Sequence, residues 1–171
     1  MIRTVPNFPK PGIMFRDITP LLASGTGFRH VVSVLADRYA GKVDKIVAIE
    51  ARGFIFGAAL AHQLGAGFVP VRKPGKLPSQ SIGHDYELEY GTNRVEVHVD
   101  GIAKGERVVV IDDLLATGGT ALAALALVEQ SGATVVECAF VIELLDLPGR
   151  NRLHERGHRV HALCGFTEDE G

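Results

Sequence analysis

Residues 108–120 read Val-Val-Val-Ile-Asp-Asp-Leu-Leu-Ala-Thr-Gly-Gly-Thr. The apolar run from Val108 to Ile111 has no polar face, the pattern of a strand covered on both sides. Two adjacent carboxylates follow, Asp112 and Asp113. A small-residue loop over 112–119 then leads into an apolar helix over 120–130, stopped by Gly132. In open α/β sheets, ligands bind beyond the carboxyl ends of strands. Here the loop offers backbone amides and the hydroxyls of Thr117 and Thr120 at a helix N-terminus, where unsatisfied donors and the helix dipole favour an anion. Ala116, Thr117, Gly118, Gly119 and Thr120 are therefore expected to hold a phosphate. Asp112 and Asp113 would repel it unless they accept bonds from sugar hydroxyls or lie near a divalent cation. The string thus reads as a cradle for a sugar phosphate bound with Mg²⁺. One Asp or one Thr alone would be an ordinary helix cap; the whole string after a buried strand favours a ligand.

Outward from this centre, strands and helices alternate. Helices are expected over 27–40, 53–64 and 149–156, and strands over 45–50, 68–73, 134–144 and 160–166. Pro70 suggests a sheet edge or a strand end for its segment. Residues 86–90 and 94–99 read as a hairpin, preceded by a Pro/Gly/Ser-rich loop over 74–84. Residues 4–20 carry Pro6, Pro9, Pro11 and Pro20 and are expected to be extended and irregular. The alternation predicts an α/β domain with a mostly parallel central sheet flanked by helices.

The chain has 171 residues, expected to form one domain over 1–171 that buries about 70% of its unfolded surface. Its formal net charge of -2 argues against a general nucleic-acid binder. No apolar run approaches a membrane span, and no apolar stretch follows the first basic residues as in a secretory signal. Cys138 and Cys164 stand far apart in apolar surroundings, which fits a reducing, cytoplasmic setting. The GxxxxGK[ST] and GxGxxG nucleotide signatures are absent. His154-Glu155-Arg156-Gly157-His158 formally matches the zinc-protease HExxH, but Gly157 should end the helix before the second histidine, leaving a solvent-facing turn.

The string 114–120 resembles the 5-phosphoribosyl-1-pyrophosphate (PRPP) signature of the type I phosphoribosyltransferases. Other segments resemble the branch that acts on adenine: Phe8-Pro9-Lys10-Pro11-Gly12 with Phe15-Arg16-Asp17-Ile18-Thr19-Pro20, Ala51-Arg52-Gly53-Phe54, residues 72–78, and Tyr86 to Gly91. The resemblance spans most of the chain. It implies transfer of the 5-phosphoribosyl group from PRPP to N9 of adenine, giving AMP and pyrophosphate in purine salvage. It also implies a mobile loop and hairpin, an N-terminal base-binding segment, a non-proline cis peptide at Glu50-Ala51, and a homodimer.

By the same resemblance, Asp112 and Asp113 would hold the ribose hydroxyls and help orient Mg²⁺ through waters. Arg52, Lys73 and Lys76 would meet the pyrophosphate. Phe15 would stack on adenine, main-chain groups of Met14 and Arg16 would read its edge, and Leu144 would close the slot. Glu89 would handle the proton at the purine N7, with Tyr90 positioning it. From pattern alone, Phe15 and Leu144 read as core, Met14 as gap-filler and Glu89 as a strand-surface carboxylate. The other readings are a phosphoribosyltransferase for xanthine or guanine, a PRPP-sensing regulator, and an α/β binding protein without catalysis. A 6-oxo purine usually calls for a basic side chain after the strand ending near Leu145, and none is seen there. A regulator usually adds a DNA-binding domain, for which the chain has no room.

Overall fold

The computed structural model describes residues 1–87 and 91–167. Its centre is a five-stranded parallel sheet of β3 (Lys45–Ile49), β4 (Gly67–Val71), β7 (Arg107–Leu115), β8 (Thr134–Leu144) and β9 (Val160–Phe166), in the order β4-β3-β7-β8-β9. Val108, Val109, Val110 and Ile111 are wholly buried, as an apolar run in a central parallel strand requires. Pro70 lies in β4, an edge strand of this sheet, where the donor it lacks is tolerated.

Helices α2 (Gly25–Tyr39) and α3 (Gly53–Leu64) cover one face of the sheet. Ser24 caps α2, its hydroxyl accepting from the Gly27 amide, and Val31, Leu35, Ala36 and Tyr39 form the buried stripe. Helix α4 (Gly119–Ser131) and the hairpin of β5 (Ser81–Glu87) and β6 (Thr92–His98) cover the other face. The short helix α5 (Gly149–Glu155) links β8 to β9 and packs on α4.

Three expectations need correction. The segment 4–20 is more ordered than its prolines suggested. Strands β1 (Arg3–Pro6) and β2 (Met14–Asp17) pair antiparallel, and α1 (Thr19–Ala23) begins with Pro20 in its first turn, where the missing donor costs nothing. The loop over 74–84 ends early, because β5 starts at Ser81 and pairs with His98. The loop over 112–119 starts late, because β7 runs on to Leu115: Asp112 pairs with Phe140 and Leu115 with Glu143. The HExxH reading is disposed of as expected. Helix α5 ends at Glu155, Gly157 takes φ +82°, and the His158 ring instead meets Glu129 at 2.9 Å.

Candidate active site

In this sheet order the chain runs outward in opposite directions from β3 and β7, so the crevice beyond their carboxyl ends is the topological switch point. The β3–α3 turn, the end of β7 and the turn into α4 meet there. The Glu50-Ala51 peptide is cis, as the resemblance implied. Gly53 allows the turn to lie against β7: a Cβ there would stand 2.8 Å from Asp112 Oδ1.

Ala116, Thr117, Gly118, Gly119 and Thr120 line a cavity of about 100 Å³ together with Asp112 and Phe140. Gly118 caps α4 with φ +81°, and the first amides of a helix have no partner within it and can donate to an anion. Helix α5 lies close against this loop. A Cβ on Gly149 would overlap the Ala116 carbonyl oxygen, and the Arg152 guanidinium donates to the Thr117 carbonyl at 2.7 Å. Tyr86 of β5 closes over the helix start, its hydroxyl accepting from Thr120 Oγ1 at 3.2 Å.

Asp112 and Asp113 have different surroundings. The Asp112 carboxyl lines the phosphate-sized cavity, and its Oδ1 accepts from the Asp113 amide at 2.8 Å. Burial, and then the charge of Asp113, hold its pKa well above the ordinary carboxylate value. Asp113 is buried, with Oδ2 2.7 Å from Arg52 Nε. That approach is a charge contact without the alignment of a hydrogen bond. Burial raises the Asp113 pKa too, and the Arg52 charge opposes the rise.

A second cavity, of about 570 Å³, is lined by Met14, Arg16, Leu144, Phe166 and Thr117 among others. Three of the four residues expected to bind the base share it. The fourth, Phe15, faces elsewhere, as strand alternation dictates for the residue between Met14 and Arg16. Its ring meets Phe8 edge-on at 5.1 Å, with the Arg52 guanidinium 5.4 Å from its centroid. The Arg16 side chain is buried, stacked 4.5 Å from the Phe166 ring centroid and bonded to Thr4 Oγ1 and the Thr167 carbonyl. These contacts hold the N-terminal β-pair over the end of β9.

A third cavity, of about 130 Å³, is lined by Glu50, Arg72, Lys73, Tyr86, Asp112 and Thr120 among others. Lys73 is exposed at its rim; Lys76 is exposed and lines none of the three cavities. Sequence reasoning missed the pair that links these cations to the Arg52 turn. Glu50 accepts from Arg72 Nε and Nη2 at 3.3 Å and from the Lys73 amide at 2.9 Å, while Arg72 Nη1 donates to the Lys76 carbonyl at 3.0 Å. The Lys73 amide and the Arg72 guanidinium hold the Glu50 carboxyl below its ordinary pKa. Arg72 stands beside Lys73 in the quoted loop string, and no local spacing signals a partner 22 residues away. Glu89 and Tyr90 lie outside the described residues.

Comparison with known proteins agrees with this geometry. The phosphoribosyl transferase domain model matches residues 17–161. The chain is 58% identical to the adenine phosphoribosyltransferase of Methylobacillus flagellatus over 171 residues, covering 99% of this chain and 97% of that one. The crystal structure of adenine phosphoribosyltransferase from Thermoanaerobacter pseudethanolicus superposes with a TM-score of 0.92 at 51% identity, covering 97% of this chain and 96% of that one. The Saccharomyces cerevisiae enzyme, solved with an iminoalditol bisphosphate and adenine, gives 0.88 at 42%, with 95% and 93% covered. With a family model matching most of its length and relatives this similar, the chain belongs to the adenine phosphoribosyltransferases of the type I phosphoribosyltransferase family.

Proposed function

We propose a division of labour among these residues in the transfer of the 5-phosphoribosyl group from PRPP to adenine. One observation carries it. The three cavities are contiguous: Thr117 lines both the phosphate-sized and the base-sized cavity, and Asp112 and Thr120 line both the phosphate-sized cavity and the one beside Arg72 and Lys73. The phosphate-sized cavity thus adjoins both the base-sized cavity and the cation-lined one, so a ribose held beside it can exchange pyrophosphate for the base at one carbon.

In this reading the amides and hydroxyls of Ala116–Thr120 bind the 5-phosphate, and Asp112 and Asp113 accept from the ribose hydroxyls. Breaking the anomeric bond leaves an oxocarbenium-like sugar and a highly charged leaving group. Positioned cations are therefore the main catalytic need, supplied by Arg52, Lys73 and Lys76. Arg52 leaves Asp113 and the Phe15 ring for the pyrophosphate, and adenine binds in the cavity of Met14, Arg16 and Leu144, which Phe15 does not line. Main-chain groups of Met14 and Arg16 read the edge of the base, and Leu144 packs against it.

No group of three or more His, Cys, Asp or Glu gathers among the described residues. Mg²⁺ suits one or two carboxylates completed by substrate oxygens and waters, and Asp112, facing two of the cavities, fits that requirement. When bound, Mg²⁺ supplies positive charge to the pyrophosphate oxygens. The working form is proposed to be a cytoplasmic homodimer, with the basic loop serving near the partner's site. Light scattering on the purified protein checks the dimer. No helix among the described residues is long and apolar enough to cross a membrane.

Glu89 is proposed to move the N7 proton, assisted by Tyr90. Glu89→Leu is expected to lower kcat by about 10²–10⁴-fold, the range of a general acid or base, with the KM for PRPP little changed. Unchanged turnover would remove Glu89 from the mechanism. Substrate choice is tested by supplying PRPP, Mg²⁺ and equal adenine, guanine, hypoxanthine and xanthine. AMP is expected to dominate, and preferential formation of another nucleotide would contradict the reading.

A further inference from the structure

The phosphate-sized cavity poses an electrostatic problem. Among the described residues its lining includes one carboxylate, Asp112, and no lysine or arginine. A phosphate bound there depends on backbone N–H groups, so the orientation of each peptide plane matters. One of these peptides, Thr117–Gly118, could turn over without strain in the residue that follows it. It precedes a glycine at φ +81°, ψ 0°, and glycine accepts the conformations on either side of a peptide flip.

We propose that Arg152 is a positioning residue for the 5-phosphate, acting through this peptide. Arg152 Nη1 donates to the Thr117 carbonyl at 2.7 Å from α5, the helix packed behind the loop. The peptide is trans, so its C=O and N–H point in opposite directions. Fixing the carbonyl toward α5 fixes the Gly118 N–H toward the opposite side, where the cavity lies. A cation on the carbonyl also polarises the amide and strengthens its N–H as a donor. The charge itself stands one peptide unit behind the cradle, offsetting Asp112 without occupying the space a phosphate needs. Arg152 is exposed and lies 35 residues from Thr117 in sequence, and among the described residues the Thr117 carbonyl is the hydrogen-bond partner of its side chain.

This inference rests on the reading of 116–120 as the 5-phosphate site, and its test separates the two. The probes are PRPP kinetics, inhibition by ribose 5-phosphate and the melting temperature, for wild type, Arg152→Met and Arg152→Lys. Arg152→Met is expected to raise the KM for PRPP and the inhibition constant of ribose 5-phosphate together, by about tenfold, the loss of one charge-assisted hydrogen bond. The KM for adenine, the affinity for pyrophosphate in the reverse reaction and the Tm should stay near wild type. Arg152→Lys, which keeps the charge but not the planar fork, should fall between. If wild type is not inhibited by ribose 5-phosphate competitively with PRPP, the phosphate-site reading fails, and this inference with it. If wild type is inhibited and Arg152→Met is inhibited equally well, the site stands and the role of Arg152 is overturned. A uniform loss in both substrates with a lowered Tm would also overturn it, as the mark of a purely structural contact.

Discussion

Asp112→Asn is expected to make the free protein more stable at neutral pH while lowering turnover with PRPP by about 10²–10³-fold, the range seen when one positioned polar group is removed from a dry site. Burial and the neighbouring Asp113 charge raise the Asp112 pKa in the fold, so charging this group opposes folding. The penalty is absent below the unfolded value near 3.8 and complete once pH passes the raised folded value. Asparagine keeps the Oδ1 acceptor for the Asp113 amide and removes the charge. The Tm gain should therefore appear at pH 7, about 2–4 °C for each kcal/mol relieved, and vanish near pH 3.8 and below. The same logic predicts that wild-type kcat/KM for PRPP falls on the acid side at a pH above the ordinary carboxylate range, because the ribose hydroxyls need the ionised acceptor. Calorimetry at the two pH values and initial rates on both proteins check both halves. A variant destabilised at pH 7, or one with unaltered turnover, would contradict the assignment.

Gly149→Ala is expected to lower activity by about 10²-fold without touching substrate. Its Cβ would collide with the Ala116 carbonyl oxygen and press on Leu115, and neither backbone nor buried leucine can swing aside as an exposed side chain would. Either α5 or the loop 116–118 must move. Overpacking of this kind costs typically 1–3 kcal/mol of stability. A displacement of about 1 Å in the cradle is enough to misplace a reacting sugar by that factor in rate. Initial rates, melting temperature and the KM for PRPP report it; activity within threefold of wild type would show that α5 does not brace the cradle.

The buried strand, the carboxylate pair and the glycine-bearing turn were legible because each is local: four β-formers in a row, then residues suited to capping and anion binding. The run of β7 on through Asp112 and Asp113 was not legible. Two carboxylates break an apolar pattern, yet the ladder continues through Phe140, Ile142 and Glu143, which only the fold supplies. The β1–β2 pair was hidden for a similar reason. Its prolines argue against regular structure, and what steadies it is Arg16, bonded to Thr167 across 151 residues of sequence and stacked on Phe166. Met14, Arg16 and Leu144 line one cavity, while alternation along β2 turns Phe15 toward Arg52. The contacts that tie the site together, Glu50 with Arg72, Tyr86 with Thr120 and Arg152 with Thr117, join segments distant in sequence and leave no periodic trace.

The most direct measurement is a crystal structure with AMP, which carries phosphate, ribose and base in one molecule. The phosphate should accept from the amides of residues 117–120, the ribose hydroxyls should face Asp112 and Asp113, and the purine should lie in the cavity between Met14 and Leu144. A phosphate bound instead beside Lys73 and Lys76, with the loop between β7 and α4 making no contact to it, would contradict the assignment at its root.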